Sequence, residues 1–196
     1  MKILALFGSP RQHGNTRAVL DQVLKAAHEA GADVELVDLS TLKEITGCHE
    51  CYGCQQSPDE PGCVIDDDIQ GVLAKVTGAD LVLFATPVFC WSMSWLLKIA
   101  VDRMFCMFKF EGENVRSLLE GRAIAGVVTA GGEEAGNADI VPEAFKRFAA
   151  YSKCDYRGSF VAAEVESPET IQADRELCER AREFGRGLVS GAAHVA

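Results

Sequence analysis

Four of the chain's eight cysteines crowd one stretch, Cys48-His49-Glu50-Cys51-Tyr52-Gly53-Cys54, with Cys63 following after eight intervening residues. Three thiolates at successive C-x-x-C spacing can wrap one face of a compact cluster while a fourth arrives on a flexible return, the chemistry of a [4Fe-4S] centre. A zinc site and a metal-free redox thiol loop are the competing readings. Zinc suits the pattern less, because structural zinc sites more often use two separated pairs. His49 can substitute as a ligand, and an exposed loop histidine is the plainer alternative. A second stretch, Gly8-Ser9-Pro10-Arg11-Gln12-His13-Gly14-Asn15-Thr16, is suited to an anion. Where it opens a helix, the first backbone N–H groups are unpaired and carry the positive end of the dipole, so a phosphate gains hydrogen bonds and favourable charge together. Ser9 and Thr16 add hydroxyls and Arg11 a charged fork. The alternative is an ordinary turn in which Asn15 or Thr16 only caps the helix.

These residues need a scaffold, and its periodicity is readable. Ile3 to Phe7 is a short apolar strand, and the helix from Asn15 or Thr16 repeats Val19, Leu20, Val23, Leu24 and Ala27 on one face, with Gly31 as its terminator. Asp33 to Leu39 reads as a second strand. Ser40 to Ile65 is a long cysteine-bearing excursion whose length argues for function or for a bound group that orders it. Asp66 or Asp67 can cap the next helix, with Ile69, Val72, Leu73 and Val76 on one face and Gly78 at its end. Leu81 to Ala85 is a buried strand, Thr86 to Ser92 a loop, and Trp95, Leu96, Ile99 and Val101 lie on a helix where Lys98 and Asp102 can pair. Phe105 to Leu119 is an apolar connection that either closes a site or buries a subunit contact. Ala123 to Thr129 is a strand, Asp139 to Tyr151 a helix and Tyr156 to Val161 a strand, and Ser167-Pro168 starts a last helix carrying Ile171, Leu177, Ala181, Phe184 and Leu188.

Alternating strands and helices imply an α/β fold: a five-stranded parallel sheet in the doubly wound order 2-1-3-4-5, helices on both faces, right-handed crossovers, and one unit over 1–196. The ligand crevice of that order lies where the winding reverses, outside the carboxyl ends of strands one and three, as in flavodoxin with its FMN. The loop at Gly8 to Thr16 and the residues Pro87 to Trp91 therefore meet at one place.

Composition narrows the function. The chain is 48% hydrophobic and 24% charged with a formal net charge of −10, which opposes broad binding to nucleic acid or to an anionic membrane surface. The apolar run at Met1 to Phe7 is shorter than a signal peptide's core and lacks a small-residue cleavage site, and no stretch is long and apolar enough to span a bilayer. The expectation is a cytoplasmic protein whose cysteines are thiols or metal ligands.

In Gly8-Ser9-Pro10-Arg11 through Gly14-Asn15-Thr16, Thr86-Pro87-Val88-Phe89, Leu97-Lys98 followed by Asp102-Arg103, and Gly131-Gly132, the chain resembles the NADPH-dependent FMN reductase family of the flavodoxin-like fold. The likeness covers most of the chain and is strongest from Met1 to Arg103. With Cys48, Cys51, Cys54 and Cys63 included it resembles the iron-sulfur flavoprotein branch, although the insert Ser57 to Gly62 makes the last cysteine gap longer than is usual there. The resemblance implies FMN, with Ser9, Arg11, Asn15 and Thr16 around its phosphate. It further implies that Pro87, Val88, Phe89, Cys90 and Trp91 pass the flavin ring and that Gly131 and Gly132 approach it. Core packing is the alternative for Phe89 and Trp91, a buried small thiol for Cys90, and a plain turn for the two glycines. The implied function is an oxidoreductase in which NAD(P)H reduces flavin by hydride transfer and the flavin passes electrons to an unidentified acceptor, with no obligatory protein acid or base. Two other functions remain open: an electron carrier fed by a ferredoxin-like donor, and a non-catalytic flavin or thiol redox sensor. A homodimer or homotetramer is also implied.

Overall fold

The computed structural model describes residues 1–191; residues 192–196, included in the expected single unit, lie outside the described residues. Strand β1 (Lys2–Phe7) leads into helix α1 (Asn15–Glu29), followed by β2 (Asp33–Asp38), α2 (Ile69–Thr77), β3 (Leu81–Phe89), a short β4 (Ser92–Met93) and α3 (Trp95–Arg103). A hairpin of β5 (Phe108–Glu111) and β6 (Asn114–Ser117) precedes β7 (Ala123–Thr129), α4 (Ile140–Tyr151), β8 (Asp155–Ala162), α5 (Pro168–Ala173) and α6 (Arg175–Ser190). The main sheet runs β2-β1-β3-β7-β8 with every neighbouring pair parallel, which is the expected order 2-1-3-4-5.

Alternation along the strands sorts the core onto two faces. Leu4, Leu6, Val82, Phe84, Ile124 and Val128 meet residues of α2, α3 and α4, while Ile3, Ala5, Phe7, Leu81, Leu83, Ala85, Ala125 and Val127 meet α1 and α6. The two helices of that second layer approach closely at Gly185, where a Cβ would lie 2.2 Å from the Val23 carbonyl oxygen. Glycine is what permits the contact.

Several boundaries differ from expectation. β3 continues from Ala85 to Phe89, because its pairing with β7 extends to Pro87 opposite Thr129 and it then folds back on β4. β1 stops opposite Ala85, so the last four residues of β3 stand beyond its end and form a wall. Gly14, not Asn15 or Thr16, is the N-cap residue of α1, since both side chains bond elsewhere. Asp68 occupies the cap position of α2 without a side-chain capping bond, its carboxylate accepting instead from the Lys43 and Glu44 amides, while Asp67 accepts from the Ile69 amide at 3.2 Å. The expected last helix is two: α5 ends at Ala173, and Asp174 caps α6 by accepting from the Glu176 and Leu177 amides. Among the described residues no helix is long and apolar enough to cross a membrane.

Candidate functional site

The carboxyl ends of β1, β3 and β7 open onto a cleft of about 200 Å³ lined by Ser9, Pro10, Arg11, Gly14, Asn15, Thr16, Pro87, Val88, Phe89, Thr129, Ala130, Gly131 and Val165. Eight of the eleven residues singled out from sequence line it; Cys90, Trp91 and Gly132 do not. The cleft forms at the expected reversal of winding, between the β1–α1 turn and the overhanging end of β3.

Each wall has a local cause. Gly8 donates to the Ala85 carbonyl at 2.8 Å, and a Cβ on it would fall 2.6 Å from the Leu97 Cβ. The loop can therefore sit directly on the start of α3. Ser94 caps that helix by accepting from the Leu97 amide at 3.2 Å, donates to the Gly8 carbonyl and through its amide reaches the Thr86 hydroxyl at 2.9 Å. In the loop itself, Ser9 Oγ accepts from the Arg11 amide at 3.1 Å and donates back to the Arg11 carbonyl at 3.3 Å, so its hydroxyl shapes the turn. The Asn15 side chain donates to the Val165 carbonyl at 3.0 Å, and the Thr16 hydroxyl pairs with that of Thr129 at 2.7 Å. Neither caps α1. The amides of Arg17 and Ala18 turn back to the Gly14 carbonyl, whereas those of Asn15 and Thr16 have no carbonyl one turn earlier to bond. Two N–H donors and the exposed Arg11 side chain are thus left available at the cleft.

Beyond Phe89 the chain reverses through Cys90 and Trp91, with φ of 48° and 59°, between the paired residues Phe89 and Ser92. A two-residue hairpin with both central residues left-handed normally takes Asn-Gly; side chains there cost about 1–2 kcal/mol each. The strained turn leaves Trp91 61% and Phe89 43% exposed, which overturns core packing for both. Cys90 is exposed as well, contrary to a buried thiol.

The cysteine loop is a separate construction. Phe105 to Leu119 forms a helical turn and the β5–β6 hairpin, and this hairpin lies against the loop. Gln55 donates to the Phe108 carbonyl at 2.9 Å and accepts from the Phe110 amide at 3.1 Å. The buried Lys109 ammonium donates to the carbonyls of Cys54 and Pro61 at 2.9 and 3.1 Å, and Arg116 reaches the Pro58 carbonyl and Asp59. The insert Ser57 to Gly62 is therefore anchored by the hairpin. Arg103, 1% exposed, binds both ends of the excursion, reaching the carbonyls of Thr46 and Ile65 at 3.0 and 3.2 Å and Asp67 at 2.7 Å.

Of the four thiols, Cys54 is buried, Cys63 half-buried, and Cys48 and Cys51 exposed; His49 is exposed too, 3.4 Å from the Thr46 hydroxyl. Among the described residues no three His, Cys, Asp or Glu side chains are gathered to hold one metal ion. The surroundings nonetheless fit an anionic thiolate group in donor type and charge. Burial pulls the Lys109 ammonium pKa down, and the neighbouring Cys54 and Cys106 thiols oppose that fall. Burial likewise opposes the Arg103 charge, but Asp67 and the Cys63 thiol more than offset it and leave its pKa raised. Arg103 Nε is buried without a nitrogen or oxygen partner. Cys106, absent from the spacing pattern, lies in the same place, and burial, with Cys63 and Cys54 beside it, pushes its thiol up to about 12.

The family model described as NADPH-dependent FMN reductase matches residues 1–164. The chain belongs to that family. An iron-sulfur flavoprotein of Methanocaldococcus jannaschii is 32% identical over 68% of this chain and 66% of its own length, so the matched part spans just under two thirds of that relative. Among solved structures, the NAD(P)H:quinone oxidoreductase from Methanothermobacter marburgensis superposes with a TM-score of 0.75 at 20% identity, covering 96% of both chains. An FMN-dependent NADH-azoreductase from Bacillus anthracis, in complex with FMN, gives a TM-score of 0.69 at 14% identity over 98% of this chain and 99% of that one. At those identities the two structures speak to the fold, which is flavodoxin-like.

Thr129, Ala130 and Val165 are the cleft residues that sequence reasoning missed. The Thr16 hydroxyl needs a partner when buried, but nothing in the spacing says that Thr129 supplies it.

Proposed function

We propose that this FMN reductase family member binds FMN in the cleft and acts as an oxidoreductase between NAD(P)H and a second electron acceptor. The observation that carries the reading is the convergence of the α1 start, with its free N–H groups and Arg11, on the overhanging Pro87 to Phe89 wall. A phosphate and an apolar ring need those two surfaces side by side. In this reading the amides of Asn15 and Thr16 and the Arg11 guanidinium hold the phosphate, and Ser9 and Asn15 hold the loop in shape. Pro87, Val88 and Phe89 flank the ring and exclude water from one side, Gly131 admits close backbone approach, and Cys90, Trp91 and Gly132 follow at the rim. Bound FMN would supply the hydride and electron chemistry itself; no side chain of the cleft is assigned as acid or base. The exposed Phe89 and Trp91 faces offer a surface on which a nicotinamide ring can stack. The same reading takes the chain as one FMN-binding unit, assembled as a homodimer or homotetramer in the cytoplasm.

The test is anaerobic purification with flavin quantitation, followed by mixing with NADH and with NADPH. One FMN per chain, bleached by at least one nucleotide, is the expected result. Failure to bind stoichiometric FMN, or no bleaching by either, overturns the reading.

The buried Lys109 ammonium, bonded to carbonyls and not to a carboxylate, favours a second reading: an electron carrier whose Cys48, Cys51, Cys54 and Cys63 hold a [4Fe-4S] cluster fed by a ferredoxin-like donor. The cluster would supply one-electron transfer. Iron and acid-labile sulfide in matching amounts are expected. Ferredoxin-dependent flavin reduction that persists after both are removed sinks this version.

A further inference from the structure

Thr16 and Thr129 are each 2% exposed, both line the cleft, and their hydroxyl oxygens lie 2.7 Å apart with either able to donate. Two hydroxyls bring two hydrogens, and only one can lie between the oxygens. The other has no acceptor among the described residues, and a buried polar hydrogen without one is costly. Its outlet is the cleft, and the cleft at that point holds the free amides of Asn15 and Thr16. Those amides are donors too, so a ligand seated there gains by bringing acceptors.

The two threonines differ in position. Thr16 belongs to the first turn of α1, where an anion is drawn, whereas Thr129 ends β7 opposite Pro87. We propose that Thr129 is a positioning residue for the ligand's phosphate: its hydroxyl donates to Thr16 Oγ, which turns the Thr16 hydrogen outward to a phosphate oxygen. The inference rests on the FMN reading and deepens it, because it assigns discrimination between phosphorylated and unphosphorylated flavin to a residue outside the phosphate loop. Donation into Thr16 also polarises its O–H and strengthens the bond it makes in turn.

The experiment compares dissociation constants for FMN and for riboflavin in the wild type and in Thr129→Val, Thr16→Val and the double variant, by quenching of flavin fluorescence. Thr129→Val keeps the branched shape and puts a methyl in place of the hydroxyl; Thr129→Ala serves as a second hydroxyl-free variant without that methyl, and a melting curve accompanies each protein. A hydrogen bond to a charged group implies that Thr129→Val weakens FMN by about tenfold. Riboflavin binding should stay unchanged, Thr129→Ser should restore FMN affinity, and the double variant should be no weaker than Thr16→Val alone. Unchanged FMN affinity in both hydroxyl-free variants overturns the proposal, and so does equal weakening of FMN and riboflavin, the mark of a merely structural role. Wild-type protein that binds neither flavin overturns the FMN reading itself, an outcome distinct from a wild type that binds FMN and a Thr129→Val that binds it equally well.

Discussion

The cleft and the cysteine loop are held by different kinds of interaction. The cleft follows from a strand end, a helix start and parallel register, so its backbone donors are placed by local geometry. The cysteine loop has only one helical turn of its own, Gly53–Gln56, and is fixed by Arg103, Lys109 and Arg116, whose partners lie 36 to 58 positions away. Backbone geometry makes a rigid cradle cheaply; side-chain bracing makes a position that depends on every strut. The two regions share α3, which touches Gly8 through Ser94 at its start and the cysteine excursion through Arg103 at its end. That helix is the element the two regions have in common, and a variant at one end tests whether they are coupled.

The largest effect should come from breaking a strut. Arg103→Met leaves Asp67, whose side chain is 5% exposed, without its counter-charge, and should cost about 3–5 kcal/mol of unfolding free energy. Urea denaturation reads the loss. Retained FMN affinity in the variant would mark the two regions as independent, and a parallel fall would show that α3 couples them.

Outside both regions, burial pushes the Cys154 thiol up from 9.0 to about 11. The stability carried by the protonated thiol is whole below pH 9, where the unfolded chain also keeps its proton. It is lost as pH rises toward 11, by at most about 1.4 kcal/mol per pH unit. Unfolding curves at pH 8 and 10.5 should differ in the wild type and differ less in Cys154→Ala, which calibrates stability changes that belong to neither region.

Gly8→Ala puts a methyl into Leu97 and should cost about 2 kcal/mol by overpacking, with FMN affinity falling as the loop shifts. Iron or zinc content that stays equal to the wild type would confine the damage to the cleft. The smallest change is a gain: Trp91→Gly relieves a left-handed side chain at φ 59° and should stabilise the chain by about 1 kcal/mol. If the indole serves the nicotinamide, flavin reduction by NAD(P)H slows while the melting temperature rises.

The strand order was legible because each strand is a short apolar run and each helix repeats on one face, patterns that need no knowledge of partners. The turn from β1 into α1 was legible for the same reason, since Gly8 to Thr16 carries its glycines, its proline and its helix start within nine residues, and five of those residues besides Pro10 line the cleft. The expected strand Leu81 to Ala85 was too short, because pairing with β7 and the fold-back onto β4 carry β3 to Phe89. Lys109 reads as an ordinary charged residue between two phenylalanines. Only the hairpin's placement against Cys54 and Pro61 buries its ammonium.

Sequence alone determined the succession of strands and helices, the sheet order and the place of the crevice, because these follow from periodicity and from the rule that sets a crevice where the winding reverses. Tertiary structure alone decided that Thr129 pairs with Thr16, that Phe89 and Trp91 stand in solvent, and that Cys54 and Cys63 share a cationic surround with Cys106. Those facts depend on which distant segments the packed sheet and hairpin bring together, and burial and charge compensation exist only once they have met.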